Sequence, residues 1–210
     1  MVGIVYATRR EADPFLRQAS AEPLGVQPFL QFQTADARFT PCLTVISGMG
    51  KVAAALAATH LVLTHRITML VNAGLCGRLV TDNHGSVGDL FRVSTAVEGD
   101  CDRFGLAEQT VACDARWFSD LKPARLVTND RPVFDPVWRG QLAGMGELAD
   151  MEGAAVARAA SFYGIPCAMI KGVSDTADET GRQDVARHMD WVSGRIADAL
   201  VRELSKNTID

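Results

Sequence analysis

The order of apolar and polar positions along the chain predicts strands that alternate with helices. Short apolar runs rich in β-branched residues are typical of buried strands, and three of them are VGIVYAT, PCLTVISG and ITMLVNAG. Further strands are predicted within GSVGDLFRVSTAVEG, ARLVTND and PCAMIKGVSD. Residues 21–41 have an irregular pattern with strand-like pieces, and residues 100–125 carry the weakest pattern. The alternation predicts a layered α/β fold.

Four helices are predicted between and after these strands. RREADPFLRQAS follows the first strand, with Pro14 near its beginning, where a first turn tolerates proline. KVAAALAATHLVLTH is apolar on nearly every face, which predicts a helix buried on all sides. DMEGAAVARAASFYG predicts a helix that ends at Gly164, with Pro166 beyond it. The terminal amphipathic helix is predicted from apolar residues at every fourth position, Val192, Ile196, Leu200 and Leu204.

Composition and length indicate one globular domain over residues 1–210, with 48% apolar and 22% charged residues. The net charge of −4 and the scattered basic residues give no reason to expect nucleic acid as a partner. No apolar run approaches the roughly 18 residues of a membrane helix, so no membrane partner is expected. The N-terminal residues lack the basic leader and long apolar stretch of a signal peptide.

Cysteine and histidine usage gives no sign of a disulfide framework or a metal site. The chain has five cysteines without CxxC spacing, which predicts reduced thiols in a cytoplasmic protein. The histidines show no ligand spacing, and no metal is expected. These histidines are His60, His65, His84 and His188.

Two glycine-containing stretches follow predicted strands. GMGKVA, residues 48–53, fits a dinucleotide fingerprint, but no acid occurs between Asp36 and Asp82 to hold a ribose, so no cofactor is expected. Its glycines serve a tight turn or let a helix N-terminus face an anion or sugar hydroxyl. In VNAGLCGRL, Gly74 and Gly77 lie at a strand end, where α/β sheets bind ligands, although a plain turn also fits.

Three acids stand at predicted element ends. Glu11 and Glu152 lie where helices start, and Asp175 follows the strand in PCAMIKGVSD. First-turn acids that favour the helix dipole, or caps, are the structural alternative for each. A lone Glu is also a good bidentate acceptor for a vicinal diol such as the ribose hydroxyls.

Three stretches resemble the purine nucleoside phosphorylase/nucleosidase superfamily in order and spacing: ISGMGKVAAALAAT, VNAGLCGRL and DMEGAAVARAASFYGIPCAMIKGVSDTAD. The likeness is greatest to 5′-methylthioadenosine/S-adenosylhomocysteine nucleosidases and futalosine-type hydrolases. It implies a three-layer α/β/α fold with a central mixed, partly barrel-like sheet. It also implies hydrolysis of the N-glycosidic bond of a purine-type, 5′-modified nucleoside such as methylthioadenosine, S-adenosylhomocysteine or futalosine. Members commonly pair, so the resemblance implies a homodimer.

The resemblance also implies a role for each candidate residue. Asp175 falls on the general acid for the base, and Glu11 on the base that activates water. Glu152 falls on the acid that grips the ribose hydroxyls, with Met151 beneath the sugar. The remaining implied substrate contacts are Ser174, Leu75, Cys76, Gly77, Val133, Phe134 and Lys171. Lys171 stands where the related nucleosidases carry an arginine.

Other activities remain open beside hydrolysis. Phosphate as the nucleophile requires cationic donors near the sugar. Asn72 stands where the phosphorylase pattern carries an arginine, although Arg9 or Arg10 in the first loop could reach an anion. Hydrolysis is therefore favoured over phosphorolysis. A non-catalytic nucleoside-binding protein and a dinucleotide oxidoreductase are the further alternatives.

Overall fold

The computed structural model describes residues 1–34, 36–80, 86–102, 104–105 and 109–206. The strands are β1 Val2–Tyr6, β2 Ala21–Gly25, β3 Leu30–Thr34, β4 Cys42–Ile46, β5 Met69–Arg78, β6 Leu90–Glu98, β7 Val111–Ala112, β8 Lys122–Thr128, β9 Leu148–Asp150 and β10 Cys167–Asp175. The helices are α1 Arg9–Gln18, α2 Lys51–Thr64, α3 Pro136–Leu142, α4 Gly153–Phe162 and α5 Gly181–Lys206. His84, named above as a non-ligand, lies outside the described residues.

The sheet is mixed and closes on itself at one end. Strands β10, β6, β8, β9 and β5 follow one another, and β10 pairs again with β5, which completes a barrel-like ring. Beyond β5 the sheet continues as an open extension through β1, β4, β3 and β2. Strand β5 belongs to both parts and pairs in parallel with β1 and β10. The C-terminal ends of β1, β5 and β10 therefore lie side by side at one edge of the sheet.

Helices cover both sides of the sheet. Helices α2 and α4 pack against each other on one side, and α1 and α5 pack together on the other. The four predicted apolar positions of the terminal helix are buried in the core beneath α5. The predicted three-layer α/β/α fold with a mixed, partly barrel-like sheet is confirmed. None of the helices in the described ranges has the length and apolar content to cross a bilayer.

Helix α2 differs from the prediction that it is buried on all sides. Its small residues and Leu61 face the core. Val52, Leu56 and Leu63 are 71%, 58% and 66% exposed, so the prediction is wrong for this face. The neighbouring sheet and α4 have room for only one face of the helix. An apolar helix sequence cannot show whether its second face meets its own chain or another molecule.

Pro14 also lies elsewhere than predicted. Thr8 caps α1, and the helix begins at Arg9, so that Pro14 is the sixth helical residue rather than part of the first turn. Proline has no N–H, and the carbonyl four residues earlier therefore has no intrahelical donor from this position. The capping pair of Thr8 and Glu11 fixes the start of the helix more strongly than the proline does.

Candidate functional site

A cavity of about 370 Å³ opens where strands β1, β5, β9 and β10 end. Open α/β sheets usually bind ligands at this kind of edge. The cavity brings together every predicted site residue except Lys171. These residues are Glu11, Leu75, Cys76, Gly77, Val133, Phe134, Met151, Glu152, Ser174 and Asp175. Three carboxyl groups from distant parts of the sequence thus share one space.

Glu11 is held rigidly at the start of α1. Its Oε2 accepts hydrogen bonds from the Thr8 N–H at 3.1 Å and the Thr8 hydroxyl at 2.7 Å. Its Oε1 accepts the Leu75 N–H at 3.1 Å. Glu11 is only 7% exposed, so it is not a solvated first-turn acid. The fixed carboxylate presents a hydrogen-bond acceptor beside the Leu75 end of the cavity.

Glu152 is the N-cap residue of α4, but its side chain makes no capping hydrogen bond to that helix. Its Oε1 accepts the Gly50 N–H at 2.8 Å. Gly50 has a φ of +96°, which favours glycine, and it caps α2. The glycines of GMGKVA therefore place a helix N-terminus beside the Glu152 carboxylate.

Lys171 lies behind the cavity and not in its lining. Its Nζ forms a buried ion pair with Asp150 Oδ2 at 2.7 Å. Burial disfavours the ammonium group, but the charges of Asp150 and Glu152 outweigh it and raise the pKa of Lys171. Asp150 also accepts hydrogen bonds from the Thr128 hydroxyl at 2.6 Å and the Gly153 N–H at 2.8 Å. Lys171 therefore pairs with the Asp150 carboxylate behind the cavity, and it does not line the cavity itself.

Asp175 ends β10 with its carboxyl group buried in the cavity wall. The Ser174 hydroxyl donates to Oδ2, and the Ala177 N–H donates to Oδ1, both at 2.8 Å. Burial raises the pKa of Asp175 although these two donors oppose the rise. Gly77 allows the close approach, because a Cβ atom there would lie 2.9 Å from Asp175 Oδ1. Asp178, three residues further along the same turn, accepts the Thr180 N–H just before α5.

Several cavity residues were not predicted from the sequence. The largest group is apolar and comes from the loop before α2 and from α5: Met49, Val185 and Met189. Asp150 lies two positions before Glu152 and ends β9, a strand of three residues that is too short for an alternating pattern to have indicated it. Arg182 also lines the cavity. The α5 residues carried no local signal, because only the packing of α5 against β10 brings them to the site.

The pKa of Glu152 gives a testable pH dependence of stability. Burial and the neighbouring Asp150 charge raise this pKa from 4.5 to about 7. Between pH 4.5 and pH 7, Glu152 therefore keeps its proton in the folded state but has lost it in the unfolded state. Its contribution to the free energy of unfolding is lost as the pH rises from 4.5 through 7. We expect wild type to lose up to about 3 kcal/mol more than Glu152→Gln between pH 4.5 and pH 8.

The measurement is urea unfolding of both proteins across this pH range. The Glu147→Gln variant is the control, because Glu147 is paired with Arg125 away from the cavity. Its pKa is lowered, chiefly through the Arg125 hydrogen bonds that outweigh burial. Equal pH slopes for wild type and Glu152→Gln would contradict the predicted proton on Glu152.

Comparisons with known proteins agree on one family. A family model described as the phosphorylase superfamily matches residues 1–205. A 5′-methylthioadenosine/S-adenosylhomocysteine nucleosidase of Shewanella denitrificans is 26% identical over 208 residues, covering 87% of this chain and 89% of the relative. A futalosine hydrolase mutant of Helicobacter pylori superposes with a TM-score of 0.89 at 20% identity, covering 98% of both chains. The S-adenosylhomocysteine nucleosidase of Streptococcus pyogenes, in complex with 5-methylthiotubericidin, superposes with a TM-score of 0.90 at 23% identity, covering 99% of this chain and 97% of that one.

Proposed function

Because the chain belongs to the phosphorylase superfamily, we propose that it is a nucleosidase that hydrolyses the N-glycosidic bond of a purine-type nucleoside. The observation that carries this proposal is the shared cavity of Glu11, Glu152 and Asp175. The names of its relatives point the same way, since they are nucleosidases and a futalosine hydrolase. The apolar lining from Met49 and Met189 suits a 5′-modified substrate, such as methylthioadenosine, S-adenosylhomocysteine or futalosine.

Asp175 acts on the base. Cleavage of the C1′–N9 bond leaves the bonding electron pair on the purine, which is a poor leaving group unless a proton meets this charge. Burial raises the pKa of Asp175 and so favours its protonated form, and the group donates this proton to N7 of the base. Hydrogen bonds from Ser174 and Ala177 fix the carboxyl group while this happens. Phe134 offers an aromatic face to the base at this side of the cavity.

Glu152 and Glu11 act on the sugar and on water. The sugar passes through an oxocarbenium-like state, as in glycoside hydrolysis. Glu152, with Met151 beside it, accepts hydrogen bonds from the ribose hydroxyls. Glu11 accepts a proton from the water whose oxygen bonds to C1′, so that the products are the free base and the free sugar. Leu75, Cys76 and Gly77 form the wall against which the nucleoside lies.

The positions of the arginines favour water over phosphate. A phosphate site needs cationic donors beside the sugar. Arg10 forms a bidentate pair with Asp190, at 2.6 and 2.9 Å, and Arg9 pairs with Asp13. Asn72 is buried and donates to the Val5 carbonyl at 3.1 Å. Neither Arg9, Arg10 nor Asn72 lines the cavity.

Product analysis tests this proposal. The protein is incubated with methylthioadenosine, S-adenosylhomocysteine, inosine and futalosine, each with and without phosphate, and the sugar product is identified. Hydrolysis predicts free sugar at a rate that does not depend on phosphate. A sugar 1-phosphate formed only with phosphate would replace this proposal by phosphorolysis. Binding of these nucleosides without release of base would favour a non-catalytic binding protein.

We also propose that two chains pair through the exposed face of α2. Val52, Leu56 and Leu63 form an apolar face on this helix, and Met49, which is 69% exposed, continues it to the cavity. Leu56→Arg is expected to convert a dimer into a monomer, because burying an unpaired charge opposes association. Light scattering after size-exclusion chromatography measures this change. Phe162→Arg is the control, because Phe162 is an exposed apolar residue on a different helix, α4. A wild-type monomer would contradict the pairing.

One domain over residues 1–210 and a cytoplasmic location remain part of the proposal. The single sheet that joins the barrel-like ring to the open extension supports one domain. All five cysteines are free, and four of them are buried, which agrees with reduced thiols in a cytoplasmic protein. Protection of the four buried thiols from alkylation until the chain unfolds in a single transition would agree with one domain.

A further inference from the structure

The cavity has one cationic side chain among its described lining residues, Arg182, which the proposed mechanism does not use. We propose that Arg182 determines base specificity by donating to the oxygen at C6 of the base, so that the protein prefers 6-oxopurine to 6-aminopurine nucleosides. This inference rests on the proposed nucleosidase function and deepens it. It names the base, which neither the motifs nor the relatives settle.

Arg182 lies at the Asp175 end of the cavity. Its guanidinium carbon is 6.0 Å from the centroid of the Phe134 ring. The preceding residue, Gly181, is close to both groups, because a Cβ atom there would lie 2.4 Å from Phe134 Cδ1 and 3.3 Å from Asp175 Oδ1. The first turn of α5 therefore places the arginine beside the proton donor and the aromatic ring that face the base.

The guanidinium of Arg182 is available for a ligand. Within the described ranges it forms no ion pair with a carboxylate. Two other arginines do form ion pairs with residues of α5: Arg187 pairs with Asp184 at 3.7 Å, and Arg10 pairs with Asp190. Arg182 is exposed at the cavity rim, so its long side chain can turn toward a bound base without breaking an existing ion pair.

The two kinds of purine differ at the position that faces this arginine. A 6-oxopurine presents two acceptors on one edge, N7 and O6, whereas a 6-aminopurine presents the N7 acceptor and an amino donor. Guanidinium groups only donate hydrogen bonds. With the Asp175 proton on N7, Arg182 can donate a hydrogen bond to O6 of a 6-oxopurine. In adenine the same position holds an amino group, which is also a donor, so no hydrogen bond to Arg182 forms there. The charge also stabilises the negative charge that develops on O6 of a 6-oxopurine as the C1′–N9 bond breaks.

A pair of substrates that differ only at C6 tests the inference. The kcat/KM values of 5′-methylthioinosine and 5′-methylthioadenosine are measured for wild type, Arg182→Met and Arg182→Lys. We expect wild type to favour the 6-oxo compound by roughly tenfold or more, as for a charge-assisted hydrogen bond. Arg182→Met should lose this preference, with little change for the 6-amino compound, and Arg182→Lys should keep part of it. Arg187→Met is the matched control on the same helix and should keep the full preference.

The outcomes separate this inference from the proposed function. Cleavage of both compounds with no preference, or with a preference for the amino compound, would overturn the role of Arg182 and leave the nucleosidase intact. If wild type cleaves neither compound nor any nucleoside of the product analysis, the proposed function fails, and calorimetric affinities of the two methylthio nucleosides then decide the base preference. Tighter binding of the 6-oxo compound that Arg182→Met abolishes supports the inference, and equal binding contradicts it.

Discussion

Replacing Asp175 by asparagine is expected to slow release of the base by about a thousandfold, within the range for loss of a general acid. An amide has no acidic proton to donate to N7, so the purine must leave as an anion. The variant should fold normally, because its amide group can still form hydrogen bonds with the Ser174 hydroxyl and the Ala177 N–H. Base release at saturating substrate measures the effect, and calorimetry shows whether the substrate still binds.

Asp178→Asn is the control for this experiment. Asp178 lies in the same turn, but it does not line the cavity. Its Oδ1 accepts a hydrogen bond from the Thr180 N–H at 3.0 Å. Its variant should retain base release within about threefold, since surface changes of this kind have small effects. Full activity in Asp175→Asn would show that another group protonates the base. Turnover that is absent in wild type, with only affinity lost in the variant, would instead indicate a nucleoside-binding protein.

The strands that form the site were predictable because local sequence decides them. Strands β1, β5 and β10 contain short apolar runs, VGIVY, MLV and CAMI, which are typical of buried strands. The acids follow these runs, so Asp175 could be placed at a strand end. That the three carboxyl groups share one cavity followed from the resemblance and not from the pattern itself.

Other features depend on closure of the sheet, which no local pattern specifies. Lys171 was expected to bind substrate, but the pairing of β10 with β5 and β9 with β5 places it behind the cavity against Asp150. Arg182 and Met189 reach the site only because α5 packs against β10. Helix α3 was not predicted, although Asp135 as N-cap and Pro136 in the first turn are its sequence signals.

Short strands were missed for a related reason. Strand β7 has two residues and β9 has three, too few for an alternating pattern to emerge. Strand β9 nevertheless has a large role, because it closes the ring and ends directly before Met151 and Glu152. Tertiary pairing, and not β-propensity, holds such strands in place.

Glu11→Gln is expected to lower hydrolysis by about a hundredfold, because glutamine cannot take the proton of the attacking water. The substitution is mild for the fold, since glutamine also forms a capping box with a threonine such as Thr8. Substrate binding should remain, because Glu152 and Asp175 still hold the sugar and the base in the proposed mechanism. Single-turnover rates of sugar formation measure the loss in the chemical step.

Asp13→Asn separates this effect from a general weakening of α1. Asp13 lies on the same helix, pairs with Arg9 and does not line the cavity, so its variant should hydrolyse substrate at the wild-type rate. The two roles also differ in substrate dependence. If Glu11 activates water, Glu11→Gln loses rate equally for 6-oxo and 6-amino nucleosides, whereas loss of the base contact at Arg182 changes their ratio. A Glu11→Gln variant with wild-type hydrolysis would mean that the water loses its proton to a different acceptor, for which Glu152 is the remaining carboxylate at the sugar.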